Sequence, residues 1–268
     1  MIETTELQVA KTAVREASRI LKKYFRQENV VDFKATYNLV SQADRESEKA
    51  IVEIIHRAFP SHEILGEEGQ TGDISAEHLW IVDPLDGTNN FCHGLDHFAI
   101  SIGYYRNGQP ELGIIYRPMS DEWFIAARNQ GAFHNGSRCH TAAFSQLNQS
   151  LIGTGFFYDR GLQMRQTLAA IQALFEQDIH GIRRMGTASL DLCMVGCGIF
   201  GGFFEFDLAP WDHAAGRLFV EEAGGIVSNC EGDSIPIAHT SMIAGCPALH
   251  PILLETIKPF FQKAANTA

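Results

Sequence analysis

The sequence predicts a mixed α/β fold on three observations. Apolar residues recur at helical spacing near the start, short strand-like runs joined by turns fill the middle, and helical and strand-like segments alternate towards the end. Leu7, Ala10, Val14, Ala17, Leu21 and Tyr24 follow one another at steps of three and four, which is one apolar face of an amphipathic helix. A second helix is expected from about Asp44, with Ala50, Ile51, Ile54, Ile55, Ala58 and Phe59 as its stripe and Pro60 as its stop. Two helices are thus expected before any sheet.

From Leu79 onward the period changes. LWIV, FAISIGYY, ELGIIY and EWFIAA are short apolar runs, and Asn107-Gly108 and Asn135-Gly136 tolerate the positive φ of tight turns, so an antiparallel meander is expected. Beyond about Ser150 the order is strand-like LIGTGF, helical RQTLAAIQALFEQ, short IRRM, helical ASLDLCMVGCGIF, strand GGFFEF and a helix from Trp211 to Ala223. Gly224-Gly225 supplies a left-handed cap for that helix, and ILLETIKPFFQK predicts a closing one. There is no repeat, low-complexity tract or linker. We therefore expect a single unit over 1–268, with halves 1–150 and 151–268 meeting at a packing seam.

The 268 residues, 45% hydrophobic and 20% charged, suffice for a substantial core. No run approaches the roughly 18 apolar residues that cross a bilayer, and the first twenty residues carry charges where a signal peptide is apolar, so no membrane association and a cytoplasmic location are expected. The six cysteines include no CxxC and read as free thiols of a reducing compartment. A net charge of −11 argues against direct nucleic-acid binding, which relies on clustered Lys and Arg. An acidic protein that handles a phosphorylated substrate would take its positive charge from metal ions.

The densest chemistry lies in WIVDPLDGTNNF. Its apolar start reads as a buried strand, and Asp83 and Asp86 fall where that strand ends, on an edge where a hard cation can be held. Gly87 and Thr88 then open a helix or tight turn whose free N–H groups suit a phosphate. The same residues also make an ordinary turn, since Asp, Pro and Gly favour turns for conformational reasons alone. Glu67, in Gly66-Glu67-Glu68-Gly69, is a second acidic residue at a strand end, and Asp212 begins a helix, where it also serves as a cap.

Taken together, GEEG, WIVDPLDGTNNF and WDHAAG resemble the signature segments of the inositol monophosphatase family, and the resemblance extends over nearly the whole chain. It implies a layered αβαβα fold, a homodimer, and a phosphatase using two to three Mg²⁺ ions per subunit with family sensitivity to Li⁺. By position, it implies that Glu67, Asp83 and the Leu85 carbonyl hold one ion, that Asp83, Asp86 and Asp212 hold a second, and that a third sits near Glu67 through water. Gly87 and Thr88 would bind phosphate, while Thr88 and Asp44 would orient or deprotonate the attacking water. Asp44 reads equally as a helix cap. Asp86, Asp212, Ala188 and Glu205 fall at positions that touch the substrate, although Glu205 also reads as a surface carboxylate.

The implied reaction is hydrolysis of a small phosphorylated polyol or sugar, first of all inositol 1-monophosphate. Gly69, Asn89, Asn38 and Ser41 depart from the usual family residues, which leaves histidinol phosphate, fructose 1,6-bisphosphate and dinucleotide phosphates as alternatives. A further alternative is an interaction module in an RNA or transcription complex. His93, His97, His134 and His213 match neither HExxH nor a helical pair and read as surface or satisfied polar groups. No GxxxxGK[ST] loop is present.

Overall fold

The structure, a computed structural model, describes residues 3–26, 31–35, 38–156 and 160–261. Helix α1 (Thr5–Tyr24) buries Leu7, Ala10, Val14, Ala17 and Leu21, and the Thr4 hydroxyl caps it by accepting the Leu7 N–H at 3.2 Å. Tyr24 at its end is half-buried and donates its hydroxyl to Glu46 of α2 (Gln42–Ala58) at 2.9 Å. The buried face of α2 is only partly the apolar stripe read from the sequence. Ile51 and Ile55 are buried, but Ala50 and Ile54 are half-buried and Ala58 is exposed, while Asp44, Ser47 and Glu48 are buried. The first turns of α2 face the acidic loop, where Glu48 Oε2 accepts the Glu68 N–H at 2.7 Å.

The expectation that two helices precede any sheet is corrected by a hairpin between them, β1 (Val31–Ala35) and β2 (Asn38–Ser41), paired antiparallel from Val31↔Ser41. These strands pair only with each other, so no large sheet imposes a long apolar alternation on them.

The meander forms as expected. A seven-stranded sheet takes β3 (Glu63–Gly66), β4 (His78–Asp86), β5 (Ala99–Arg106), β6 (Gln109–Arg117), β7 (Glu122–Ala127), β8 (Gly131–His134) and β9 (Ser137–Arg138) in chain order. β3 runs parallel to β4 and every later pair is antiparallel. Asn107 (φ 51°) and Gly108 (φ 72°) turn β5 into β6, with both central residues left-handed as a tight hairpin requires.

The remainder contributes β10 (Leu151–Thr154), α4 (Leu162–Phe175), β11 (Gly181–Arg183), α5 (Ala188–Gly196), β12 (Gly202–Leu208), α6 (Pro210–Glu222), β13 (Ile226–Ser228), β14 (Thr240–Gly245) and α7 (His250–Ile257). Its five strands order as β11-β10-β12-β14-β13. β13 and β14 were not foreseen, because one has three residues with Ile226 largely exposed and the other opens on Thr-Ser. The last helix is shorter than expected: α7 stops at Ile257 and Lys258–Phe260 is a 3₁₀ turn around Pro259, which lacks an N–H for the α ladder. Gln262 and Lys263 lie outside the described residues.

α1 and α2 cover one face of the larger sheet, α5 and α6 lie between the two sheets, and α4 and α7 cover the far face of the smaller one. This is an αβαβα order. α6 approaches the larger sheet closely because β5 and β6 present glycines to it. A Cβ on Gly113 would stand 2.7 Å from the Ala215 carbonyl oxygen, closer than packed atoms tolerate. That contact carries the start of α6 to the end of β4, and with it Asp212 to Asp83 and Asp86.

Candidate active site

Asp83 and Asp86 are three residues apart, so an unbroken strand would point them to opposite faces. β4 is not unbroken. Asp83 pairs with Ser101 but Asp86 with Ala99, so three steps on β4 oppose two on β5, and Pro84 offers no N–H to the ladder there. The extra residue brings both carboxyl groups to one side. Asp83 Oδ1 accepts the Leu85 N–H at 2.9 Å, the local bond by which an Asp fixes a turn. Asp86 Oδ2 accepts both the N–H (2.7 Å) and the hydroxyl (2.5 Å) of Ser189 at the start of α5. Asp212, in the first turn of α6, accepts the Ala209 N–H at 2.7 Å. The cap read from the sequence is therefore real, and a carboxylate retains further lone pairs for a cation.

Two acidic groups result. One ligand oxygen from each of Asp83, Asp86 and Asp212 lies within 4.8 Å of the others, and the same holds for Asp44, Glu67 and Glu68. Glu67 thus groups with Asp44 and Glu68, while the resemblance pairs it with Asp83. The two groups are neighbours nonetheless, since Glu67 exerts the strongest of the repulsions that Asp83 experiences. Burial first, then Glu67, Asp86, Asp212 and Asp44, holds the Asp83 carboxyl well above the usual carboxylate range. Burial, followed by Asp86 and Glu67, does the same to Asp212. Asp86 is pushed up to about 6 by burial, against the opposing bonds from Ser189 and Ala188. Buried like charges of this kind fit a bound cation, which removes the repulsion, and an all-oxygen donor set fits a hard one.

Gly87 has φ 95°, and a Cβ there would lie 2.5 Å from Thr187 Oγ1, so this position admits only glycine. It leads into the short helix α3 (Thr88–Cys92). Thr88 Oγ1 lies 3.0 Å from the Leu85 carbonyl and 3.4 Å from Asp44 Oδ2. Asn90 holds this segment in place by donating its Nδ2 to the carbonyls of His97 (2.7 Å) and Met185 (2.9 Å).

All the named carboxylates except Asp44 and Glu68 line one cleft of about 480 Å³, together with Leu85, Gly87, Thr88, Ala188 and Glu205. Glu205 is only 8% exposed, so the surface reading of it does not hold. Gly155 makes room for it, since a Cβ there would overlap the Glu205 carboxyl group. The sequence reading missed Ser189, Arg184 and Asp191, which also border this end of the site. Only Ser189 had a signal, as a hydroxyl residue at a helix start whose N–H groups are free.

The histidines take no part in either acidic group. His97 and His213 are buried at 8% and 2% exposed; His97 Nε2 lacks a partner among the described residues, so the satisfied or surface reading fails for it, while His213 is satisfied at Nε2, 3.5 Å from the Ala238 carbonyl, but not at Nδ1. Burial, reinforced by Arg117, depresses His97 to about 4. The unfolded chain, with an ordinary histidine value near 6.5, then binds the proton more readily, and His97 contributes stability above that value that is lost as pH falls towards about 4. The unfolding free energy of His97→Asn is accordingly expected to approach that of the parent between pH 7 and pH 5 in urea titrations. A constant gap across that range rejects a neutral buried His97.

The profile of the inositol monophosphatase family matches residues 3–260. The chain belongs to the inositol monophosphatase family. It is 40% identical over 262 residues to an inositol-1-monophosphatase of Rhizobium meliloti, covering 96% of this chain and 98% of that one. It is 38% identical to the Nus factor SuhB of Pseudomonas aeruginosa, over 94% and 96% of the two chains. Among solved structures, an extragenic suppressor protein suhB from Bartonella henselae superposes with a TM-score of 0.89 at 37% identity, over 95% and 99%. Family membership makes the protein a phosphatase and accounts for the αβαβα layering. Among the described residues no helix is long and apolar enough to cross a membrane, and all six cysteines are free.

Proposed function

We propose that the protein hydrolyses a small phosphate monoester of a polyol with Mg²⁺, inositol 1-monophosphate being the first candidate. The observation that carries this reading is the convergence of Asp83, Asp86 and Asp212 within 4.8 Å at the floor of a cleft that also holds Glu67, Thr88 and Glu205. Glu67, Asp83, the Leu85 carbonyl, Asp86 and Asp212 are the groups that would hold two to three ions. Bound there, Mg²⁺ supplies the positive charge that polarises the ester and acidifies the attacking water. The rest is done by the chain. Gly87 opens a left-handed approach through which the backbone can reach a phosphate. Thr88 Oγ1 donates to Asp44 or to the Leu85 carbonyl, which leaves its lone pairs to accept a hydrogen bond from the attacking water and so to set that water's direction of attack. The 3.4 Å separation from Asp44 is long for a hydrogen bond, as catalytic pairs often are before substrate arrives. Glu205 and the α5 end at Ala188, which line the same cleft, would contact the leaving alcohol. The name of the Rhizobium meliloti relative supports the inositol substrate.

The test is release of inorganic phosphate from a panel of inositol, histidinol, fructose 1,6-bisphosphate and dinucleotide phosphates. Turnover is expected to be highest on inositol 1-monophosphate, to vanish on exhaustive chelation and to return with Mg²⁺. Full activity after chelation rejects the metal assignment, and preference for another ester rejects the substrate. Millimolar Li⁺ is expected to inhibit.

A second reading is a role in a transcription complex, favoured by the name of the Pseudomonas aeruginosa relative. The net charge of −11 directs that role towards a protein surface and away from RNA itself. Co-purification with polymerase or ribosome components that survives ribonuclease supports it, and its absence leaves the enzymatic reading alone.

A further inference from the structure

Beside the acidic group, the lining of the cleft contains a carboxylate that the proposed chemistry does not use. Asp191, on the first turns of α5, is 1% exposed yet borders the cleft. Its Oδ1 is buried and accepts no hydrogen bond among the described residues, and no described residue donates to its other oxygen. A buried oxygen without a donor is costly in the empty protein and is kept where something else supplies the donor. Glu205 belongs to the same lining, also buried, and within range of the Asp191 charge. The Glu205 carboxyl group has no hydrogen bond or ion pair among the described residues, its backbone alone pairing with β14, and Gly155 leaves it uncrowded by any side chain at that position. Burial, then a neighbouring carboxylate, holds both carboxyl groups above the usual range, Glu205 at about 8, and Arg184, which also borders the cleft, opposes this in both. Another acidic residue of this lining, Asp207, already has a partner in His239 at 3.3 Å. Asp191 and Glu205 are therefore a pair of carboxyl groups that border the cleft without a hydrogen-bond donor of their own among the described residues.

We propose that Asp191 is a specificity-determining residue: with Glu205 it selects phosphate esters whose leaving group carries at least two hydrogen-bond donors placed to reach both carboxyl groups, and it disfavours leaving groups without donors. The inference rests on the phosphatase reading of the cleft and deepens it. A vicinal diol fits this demand, donating one hydroxyl to each side chain. A bare ring of the same size does not, since it would bury both carboxyl groups against carbon. Selection of this kind discriminates strongly, because an analogue lacking the donors leaves the protein's own polar groups unmatched.

The experiment compares inositol 1-phosphate with cyclohexyl phosphate, which has the same ring and no hydroxyl donors, on the full-length Mg²⁺-loaded protein. Each variant is expressed as its kcat/KM relative to the parent on the same ester, which cancels the intrinsic reactivity of the two substrates. Asp191→Ala is expected to lower kcat/KM for inositol 1-phosphate by about 3–10-fold, the loss typical of one hydrogen bond between uncharged groups, and to leave cyclohexyl phosphate unchanged or improved. Asp191→Asn, which keeps the shape and one acceptor, should fall between. Both variants should melt no lower than the parent, because the substitution removes a buried carboxyl group that lacks a partner. Equal losses on the two esters, or no loss on either, overturn the proposal. So does a fall in melting temperature with equal losses, which would make Asp191 a helix-start charge serving only stability. If the parent itself hydrolyses neither ester, it is the phosphatase reading that has failed, an outcome distinct from any of these.

Discussion

Asp86→Asn and Asp212→Asn are each expected to lower kcat by at least ~100-fold at saturating substrate, since each removes a charge from the group that balances the cations at the reacting phosphate. The fold should survive in both. Asp86 keeps an acceptor for Ser189 after the change, and Asp212 keeps one for the Ala209 N–H. The structure adds a consequence that an ordinary cap or turn would not show. Asp83, Asp86 and Asp212 repel one another in a buried space, so in the metal-free protein the loss of one charge should raise the melting temperature. The stabilisation gained on adding Mg²⁺ should shrink in the same variants, because binding to the folded state is what produces it. Loss of a cap alone predicts the opposite, a cost of about 1 kcal/mol with chemistry nearly intact. Near-parental turnover in either variant at saturating Mg²⁺, with unchanged circular dichroism, removes that residue from the metal site.

Thr88→Ala and Asp44→Asn should each cost ~10²–10⁴ in kcat with little change in KM, the range of a positioned proton acceptor in the transition state. If the two act on one water, the double variant is scarcely worse than the worse single variant. Losses that multiply show separate roles. The sequence alone leads to the expectation that neither residue influences metal affinity. The structure alters that for one of them: Asp44 shares its acidic group with Glu67 and Glu68, so Asp44→Asn should raise the Mg²⁺ requirement while Thr88→Ala leaves it unchanged. Steady-state kinetics across a Mg²⁺ titration separates the two effects. An unchanged Mg²⁺ curve for Asp44→Asn would return that residue to a purely positioning role.

Legibility followed how local each determinant is. The α1 stripe, the hairpin at Asn107-Gly108 and the acidic residues Glu67, Asp83, Asp86 and Asp212 are all written in short stretches, where period, turn chemistry and strand ends can be read directly. β1, β2, β13 and β14 were illegible for the converse reason. They are short and are strands chiefly because a partner strand is there. α2 was readable as a helix but not as to which face is buried, because its buried Asp44, Ser47 and Glu48 answer to the acidic loop and not to a core.

At the site, the sequence by itself determined the donor chemistry: carboxylates at strand and helix ends, a glycine turn and a threonine after it, in an acidic chain with no histidine or thiol set to match. Tertiary structure decided which of these groups meet. The bulge between Asp83 and Asp86 aims both at one side, and the glycines of β5 and β6 let α6 carry Asp212 to them. It also brought α5 against the cleft, where Ser189 supports Asp86 and Asp191 Oδ1 has no donor among the described residues. These are contacts over a hundred residues of chain. Their occurrence depends on packing between layers, which leaves no periodic trace in the residues that finally touch.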